Sequence, residues 1–211
     1  SAMKDGQKAI YFLTGDDAAM VARSPQLEGF KARGIEVLLL SDPVDGFWIS
    51  MAGKFGETPF QSVTQGDADL EGDASDDKSE EPETDAGTAT FIAFAKTALE
   101  GKVADVRVSK RLTDSAVCLD ASDAGMDMQM EKVLAQHNPE AALSQRILEV
   151  NADHPLIKAL AGKAASGEGG AGLEDAAHLL LDQARILEGD PLADAPAFAK
   201  RMANMMAKAF G

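Results

Sequence analysis

Ala9-Ile10-Tyr11-Phe12-Leu13 is a short apolar run closed by Thr14-Gly15, which reads as a buried strand. Ser24-Pro25 follows with the signature of a helix start, an N-cap serine and a proline at the first helical position. Leu27, Phe30 and Lys31 keep helical spacing, and Gly34 supplies the stop. Ile35-Glu36-Val37-Leu38-Leu39-Leu40 then reads as a second buried strand. Asp42-Pro43 restarts a helix by the same capping logic, carrying Val44, Phe47, Trp48 and Met51. Phe60-Gln61-Ser62-Val63-Thr64 is a third, weaker strand. The order β-α-β-α-β predicts parallel strands joined by right-handed crossovers. Such a unit is small for an independent nucleotide-binding domain and reads better as one lobe of something larger.

Beyond a change of composition the pattern differs. Phe91, Phe94, Ala95, Ala98 and Leu99 lie on one helix face. Val103, Val106 and Val108, then Ala116, Val117 and Leu119, predict two strands around Arg111-Leu112-Thr113-Asp114. After Gly125 the reading turns helical, with helices at about 129–136, 155–163, 173–187 and 196–210. Residues 165–172 are glycine-rich and read as a loop. The fold class is therefore mixed α/β and α+β: a small parallel βαβαβ lobe, then an α+β domain with a C-terminal helical bundle.

Between the two lies an acidic segment. From Gln65 to Gly87 stand ten acids (Asp67, Asp69, Glu71, Asp73, Asp76, Asp77, Glu80, Glu81, Glu83, Asp85) and one base, Lys78. Leu70 is its one large apolar residue, so little burial offsets the entropy of ordering it. It reads as an acidic linker, giving the division 1–3 (Ser1-Ala2-Met3, a cloning remnant), 4–64, 65–87 and 88–211. A calcium loop fails on spacing, because no Glu falls twelve places into Asp67-x-Asp69-x-Glu71-Gly72.

Composition excludes several functions. The 211 residues hold 20 Lys+Arg against 35 Asp+Glu, a net charge of −15, so no basic stripe awaits a nucleic-acid backbone. No apolar run approaches a membrane span and no secretory signal opens the chain, so the expected location is the cytoplasm. One cysteine, Cys118, excludes an internal disulfide and a cysteine-rich zinc module. It sits between Val117 and Leu119 and reads as an inert small side chain rather than a nucleophile. Gly167-x-Gly169-x-x-Gly172 matches the dinucleotide pattern in letters, but a helix precedes it where the signature needs a strand. His137, His154 and His178 are scattered without metal-ligand spacing. No catalytic residue, cofactor site or metal site is expected.

Two apolar patterns remain. Leu173, Ala176, Ala177, Leu180, Leu181, Ala184 and Leu187 form a stripe, and Phe198, Met202, Met205, Met206 and Ala209 form another. The two helices can lie antiparallel as half a four-helix bundle. Either both stripes pack on the preceding strands or a second copy completes the bundle. Met126, Met130, Val133 and Leu134 share a further face, suited either to the core or to an adaptable binding surface.

Several strings resemble the heat-shock-protein-90 chaperones of the bacterial HtpG type. Ala9–Gly15, Ser24-Pro25-Gln26-Leu27-Glu28 and Gly34–Asp45 are similar to the end of that family's middle domain. Val106-Arg107-Val108-Ser109-Lys110-Arg111-Leu112-Thr113-Asp114-Ser115 resembles the entry to its C-terminal domain. Glu149-Val150-Asn151-Ala152-Asp153-His154-Pro155 resembles its Asn-Pro-Asp-His-Pro stretch, with Ala152 in place of proline. Leu179-Leu180-Leu181-Asp182-Gln183-Ala184 matches its penultimate helix.

The resemblance implies the C-terminal portion of an ATP-driven chaperone: the last lobe of the middle domain plus the dimerisation domain. It implies a homodimer closed by Leu180, Leu181, Ala184, Leu187, Phe198, Met202, Met205 and Met206. It implies unfolded proteins as clients, met by Met126, Met130 and Val133 and by Phe47 or Trp48. ATP and magnesium would belong to the full-length protein, through a domain upstream of Lys4, so this portion would not hydrolyse ATP. The competing reading is a small α/β enzyme with a helical dimerisation appendage, which would bind a small ligand tightly in a polar pocket.

Overall fold

The computed structural model describes residues 3–4, 6–42, 44–65, 85–121, 128, 131–132, 144–167 and 170–210. The chain divides into two compact units, Ser1–Glu80 with Asp120–Ile147, and Glu81–Leu119 with Leu148–Gly211.

In the first unit, β1 (Ile10–Thr14), β2 (Val37–Leu40), β3 (Lys54–Phe55) and β4 (Thr58–Ser62) form a sheet of order β2-β1-β4-β3. β1 runs parallel to both β2 and β4, in register Tyr11 to Val37 and Tyr11 to Gln61. Helices α1 (Ala18–Val21), α2 (Glu28–Ala32) and α3 (Asp45–Ala52) fill the connections. Ser24 caps a 3₁₀ turn, Pro25–Leu27, that leads into α2. Gly34 ends α2 at φ 63°, a left-handed turn that a side chain would strain, and Ile35 N–H returns to the Phe30 carbonyl. Tyr11, Leu13, Val21, Leu27, Phe30 and Val63 build the core. Tyr11 and Phe30 meet at 4.8 Å between ring centres.

Two details differ from the sequence reading. β2 is an edge strand with Leu38 and Leu39 exposed, not a buried one. An unbroken apolar run implies two covered faces, and the edge position leaves this strand partly open. The last strand begins at Thr58 rather than Phe60. Its first residues pair antiparallel with β3, Lys54 to Pro59, while its last three pair with β1.

The second unit carries a three-stranded sheet, β5 (Asp105–Val108), β6 (Val117–Asp120) and β7 (Ile147–Val150), in the order β5-β7-β6. The division between units falls at the ends of β6 and β7. The central strand, β7, falls between the helices expected at about 129–136 and 155–163, where no element was read. It is too short for periodicity to register and has a glutamate inside it. Among the described residues four helices complete the unit: α4 (Ala86–Ala98), α5 (Pro155–Ala165), α6 (Gly170–Leu187) and α7 (Ala195–Phe210). α4 starts inside the segment read as acidic linker, because Asp85 is its N-cap. The Asp85 carboxylate accepts from Gly87 N–H, Thr88 N–H and the Thr88 hydroxyl. α4 then packs on α5. The approach is close enough that a Cβ at Gly87 would stand 3.1 Å from the Ala161 carbonyl oxygen.

Candidate functional site

Helix α3 is short and buries one residue, Ile49. Its apolar positions Val44, Phe47, Trp48 and Met51 follow i, i+3, i+4, i+7 spacing, which puts them on one face. That face is open: Phe47 is 46% and Trp48 43% exposed, and Met51 88%. Trp48 is nevertheless held. Its indole N–H donates to Asp45 Oδ1 at 2.9 Å, and its ring meets Phe60 edge-on at 6.0 Å.

Of the methionine face, Met126, Met130 and Val133 lie outside the described residues. Within the same segment Met128 is buried. Glu131 forms a 2.8 Å ion pair with Arg146, both side chains being largely buried.

The two terminal helices divide the expected interface residues sharply. Leu180, Leu181 and Ala184 are buried within the unit, where α6 packs against α4, α5 and α7. Leu187 and its neighbour Ile186 are exposed. Helix α7 buries no residue at all. Phe198 and Met205 are half-buried, while Met202, Met206 and Phe210 are exposed. Arg201 on α7 reaches Asp175 on α6 at 3.4 Å, which fastens the pair. The stripe of α6 is thus filled from within the chain, and the apolar face of α7 is the open one.

A polar cluster in the second unit escaped the sequence reading. Glu149, on the central strand β7, is 2% exposed. Arg111 grips it from both sides of the fork, Nε to Oε2 at 3.0 Å and Nη2 to Oε1 at 3.2 Å. Arg107 reaches Oε1 at 2.9 Å, the Ser109 hydroxyl donates to Oε2 at 2.8 Å, and the Cys118 thiol lies 3.7 Å from it. Burial alone would raise the pKa of Glu149, but Arg111, Arg107 and Ser109 outweigh it and hold the carboxyl below the usual glutamate range. Asn151 donates to the Ser115 carbonyl, and its N–H to the Ala116 carbonyl. The two strings 106–115 and 149–155, far apart in sequence, are thereby tied together. Cys118 is buried beside this cluster. A clue was available: one carboxylate in an apolar run, matched by arginines in another segment.

His178 on α6 is buried as well, with Lys102 Nζ 3.3 Å from its Nδ1. Burial, then Lys102 and Arg201, lowers its pKa against the opposite pull of Glu174 and Asp182. His154 acts as the N-cap of α5, its Nδ1 accepting from Leu156 N–H. The glycine pattern at 167–172 follows helix α5 and runs into the first turn of α6, which begins at Gly170 and so takes in the end of the stretch read as a loop; the strand that dinucleotide binding requires is not there. Among the described residues no group of three His, Cys, Asp or Glu side chains could hold a metal ion. Among them, too, no helix is long and apolar enough to cross a membrane.

Comparison with known proteins fits these strings. The family described as Hsp90 protein matches residues 1–211. The chaperone protein HtpG of Paramagnetospirillum magneticum is 53% identical over 98% of this chain, which covers 34% of that relative. HtpG of Rhodospirillum rubrum is 51% identical over 98% of the chain and 34% of its own length. HtpG of Mesorhizobium japonicum is 50% identical over 99% and 33%. The chain therefore spans about a third of the length of the curated relatives it matches.

Proposed function

The chain belongs to the Hsp90 family, and we propose that it supplies homodimerisation and part of the unfolded-client surface of an ATP-dependent cytoplasmic chaperone. The observation that carries the reading is α7: an amphipathic helix of 16 residues that buries none of them. A helix with an apolar stripe gains its stability by covering it. A second copy related by a twofold axis would cover it with the same face and complete a four-helix bundle. Leu187 at the exposed end of α6 is assigned to the same interface, and Leu180, Leu181 and Ala184, buried within the unit, would act on it by holding α6 in place.

The client role is supported by the open face of α3. Two rings and a methionine on one helix face form a surface that binds apolar chains weakly and without one fixed shape. Duplication in a dimer would raise the effective concentration of a second contact once the first has formed. Met126, Met130 and Val133 remain part of the proposed client surface. Nucleotide and magnesium chemistry we assign to other parts of the longer protein.

The test is molar mass by light scattering at tens of micromolar, together with titration of a permanently unfolded protein. A dimer that binds the unfolded chain in the micromolar range or weaker is expected. A monomer that ignores unfolded chains, or that instead binds one small polar ligand tightly, would overturn the reading.

A further inference from the structure

Asp45 uses its two carboxylate oxygens for two different tasks. Oδ2 accepts the Asp42 backbone N–H at 2.9 Å, and Oδ1 accepts the Trp48 indole N–H at 2.9 Å. The first bond resembles the returning half of a capping box and fixes the start of α3. The second is charge-assisted and sets the rotation of the indole. The edge-on contact with Phe60 on β4, at an interplanar angle of 89°, fixes the same ring from the sheet. Trp48 still leaves 43% of its surface open. Phe47, beside it, touches no other aromatic ring among the described residues.

We infer that Asp45 is a positioning residue of the client surface: its carboxylate holds Trp48 as a rigid aromatic platform, beside which Phe47 and Met51 adapt to the incoming chain. The inference rests on the reading of Phe47 and Trp48 as client contacts. The ligand chemistry is an extended apolar segment of an unfolded protein. A ring already immobilised binds such a segment with little further loss of rotamer freedom. An unbranched methionine, 88% exposed, supplies the tolerance for varied sequences. Sequence reasoning sees a ring at 47 and a ring at 48 as equivalent; the Asp45 bond separates their roles.

The full chain is tested with a reduced, carboxymethylated small protein as the unfolded probe. Trp48 is the sole tryptophan, so acrylamide quenching reports its setting directly. In Asp45→Asn one amide oxygen replaces two carboxylate oxygens and cannot serve both N–H groups. Quenching of Trp48 is expected to rise, and probe affinity to fall about tenfold, the scale of one hydrogen bond to a charged group. Trp48→Phe keeps a ring and the Asp42 bond but removes the indole N–H, so it should weaken the probe comparably. Adding Asp45→Asn to Trp48→Phe should then cost nothing more. Unchanged quenching in Asp45→Asn, or the same loss from Asp45→Asn in both backgrounds, overturns the inference. If Asp45→Asn loses helix content by circular dichroism, Trp48→Phe alone decides, and wild-type probe affinity in that variant overturns it. If Phe47→Ala and Trp48→Ala both bind the probe normally while Asp45→Asn still raises quenching, the client reading has failed and not the geometry, and the inference falls with it.

Discussion

Replacing Glu149 by Gln is the sharpest probe of the second unit. The side chain keeps its shape, so no cavity opens. The charge is lost between Arg111, itself 5% exposed, and Arg107. Breaking a buried ion pair from one side costs about 3–5 kcal/mol, because the surviving charge stays buried without its counter-ion. Arg107 is the more exposed partner and can turn to water, which favours the lower half of that range. With a urea m-value of ~2 kcal/mol/M, the midpoint should fall by roughly 1.5 M. Far-UV circular dichroism is the assay, since the helices α4 to α7 dominate the signal of this unit. Arg107→Gln is the control and should cost only about 1 kcal/mol. The sign of the pH effect follows from the depressed folded pKa of Glu149. The stabilisation is full above the ordinary glutamate value, ~4.3, and is lost as pH falls through the lower folded value. Wild type should thus lose stability in acid faster than Glu149→Gln. A midpoint shift in Glu149→Gln below about 0.5 M urea would show that the ion pair merely offsets its own desolvation.

Other perturbations test the rest. Met202→Glu on the open face of α7 should give a folded monomer, seen as halved mass by light scattering with an unchanged circular dichroism spectrum. Leu180→Glu, by contrast, puts a charge into the chain's own core and should unfold the second unit, seen as loss of helical signal at 25 °C. Paired Met126→Ala and Met130→Ala should melt near wild type yet bind the unfolded probe more weakly. A melting loss of about 2–5 kcal/mol per site would mark that face as core. His178 should titrate below the usual histidine value in an NMR pH series. Because its folded pKa is lowered, its contribution is full above the unfolded value of ~6.5 and is lost as pH falls below it.

What the sequence revealed depended on how local the cause was. β1, the capped turn at Ser24-Pro25 and the stop at Gly34 are written in neighbouring residues, and all three stand where they were expected. The amphipathic spacing of α6 and α7 was equally plain. The exposure of β2 was not, because an edge is a property of the sheet order and not of the strand. β7 was missed because four residues are too few for periodicity, and because Glu149 breaks an apolar run whose arginine partners lie some forty positions upstream. Two of the resemblance strings meet in the fold: the Arg107, Ser109 and Arg111 side chains of one close on the Glu149 carboxylate of the other.

The same distinction bears on the interface. Periodicity reports which residues of a helix are apolar, not which neighbour covers them. On α6 the stripe is covered by the chain itself, so Leu180, Leu181 and Ala184 can act on a dimer only by shaping what lies above them. On α7 no residue is buried, and Phe198 and Met205 are only partly sheltered. Each Met or Phe that a partner buries there contributes roughly 1.5–3 kcal/mol. A few such residues, counted twice by symmetry, must offset the cost of association, which runs from about 4 to above 15 kcal/mol. Met202 and Met206, counted in both copies, supply at most about 6–12 kcal/mol, within that range, and Phe210, the most exposed apolar residue of α7, adds to them. Whether the exposed end of α6 shares the interface is read from Ile186→Asp: a shared interface predicts monomer by light scattering at concentrations where wild type is dimeric, and an unchanged mass confines the interface to α7.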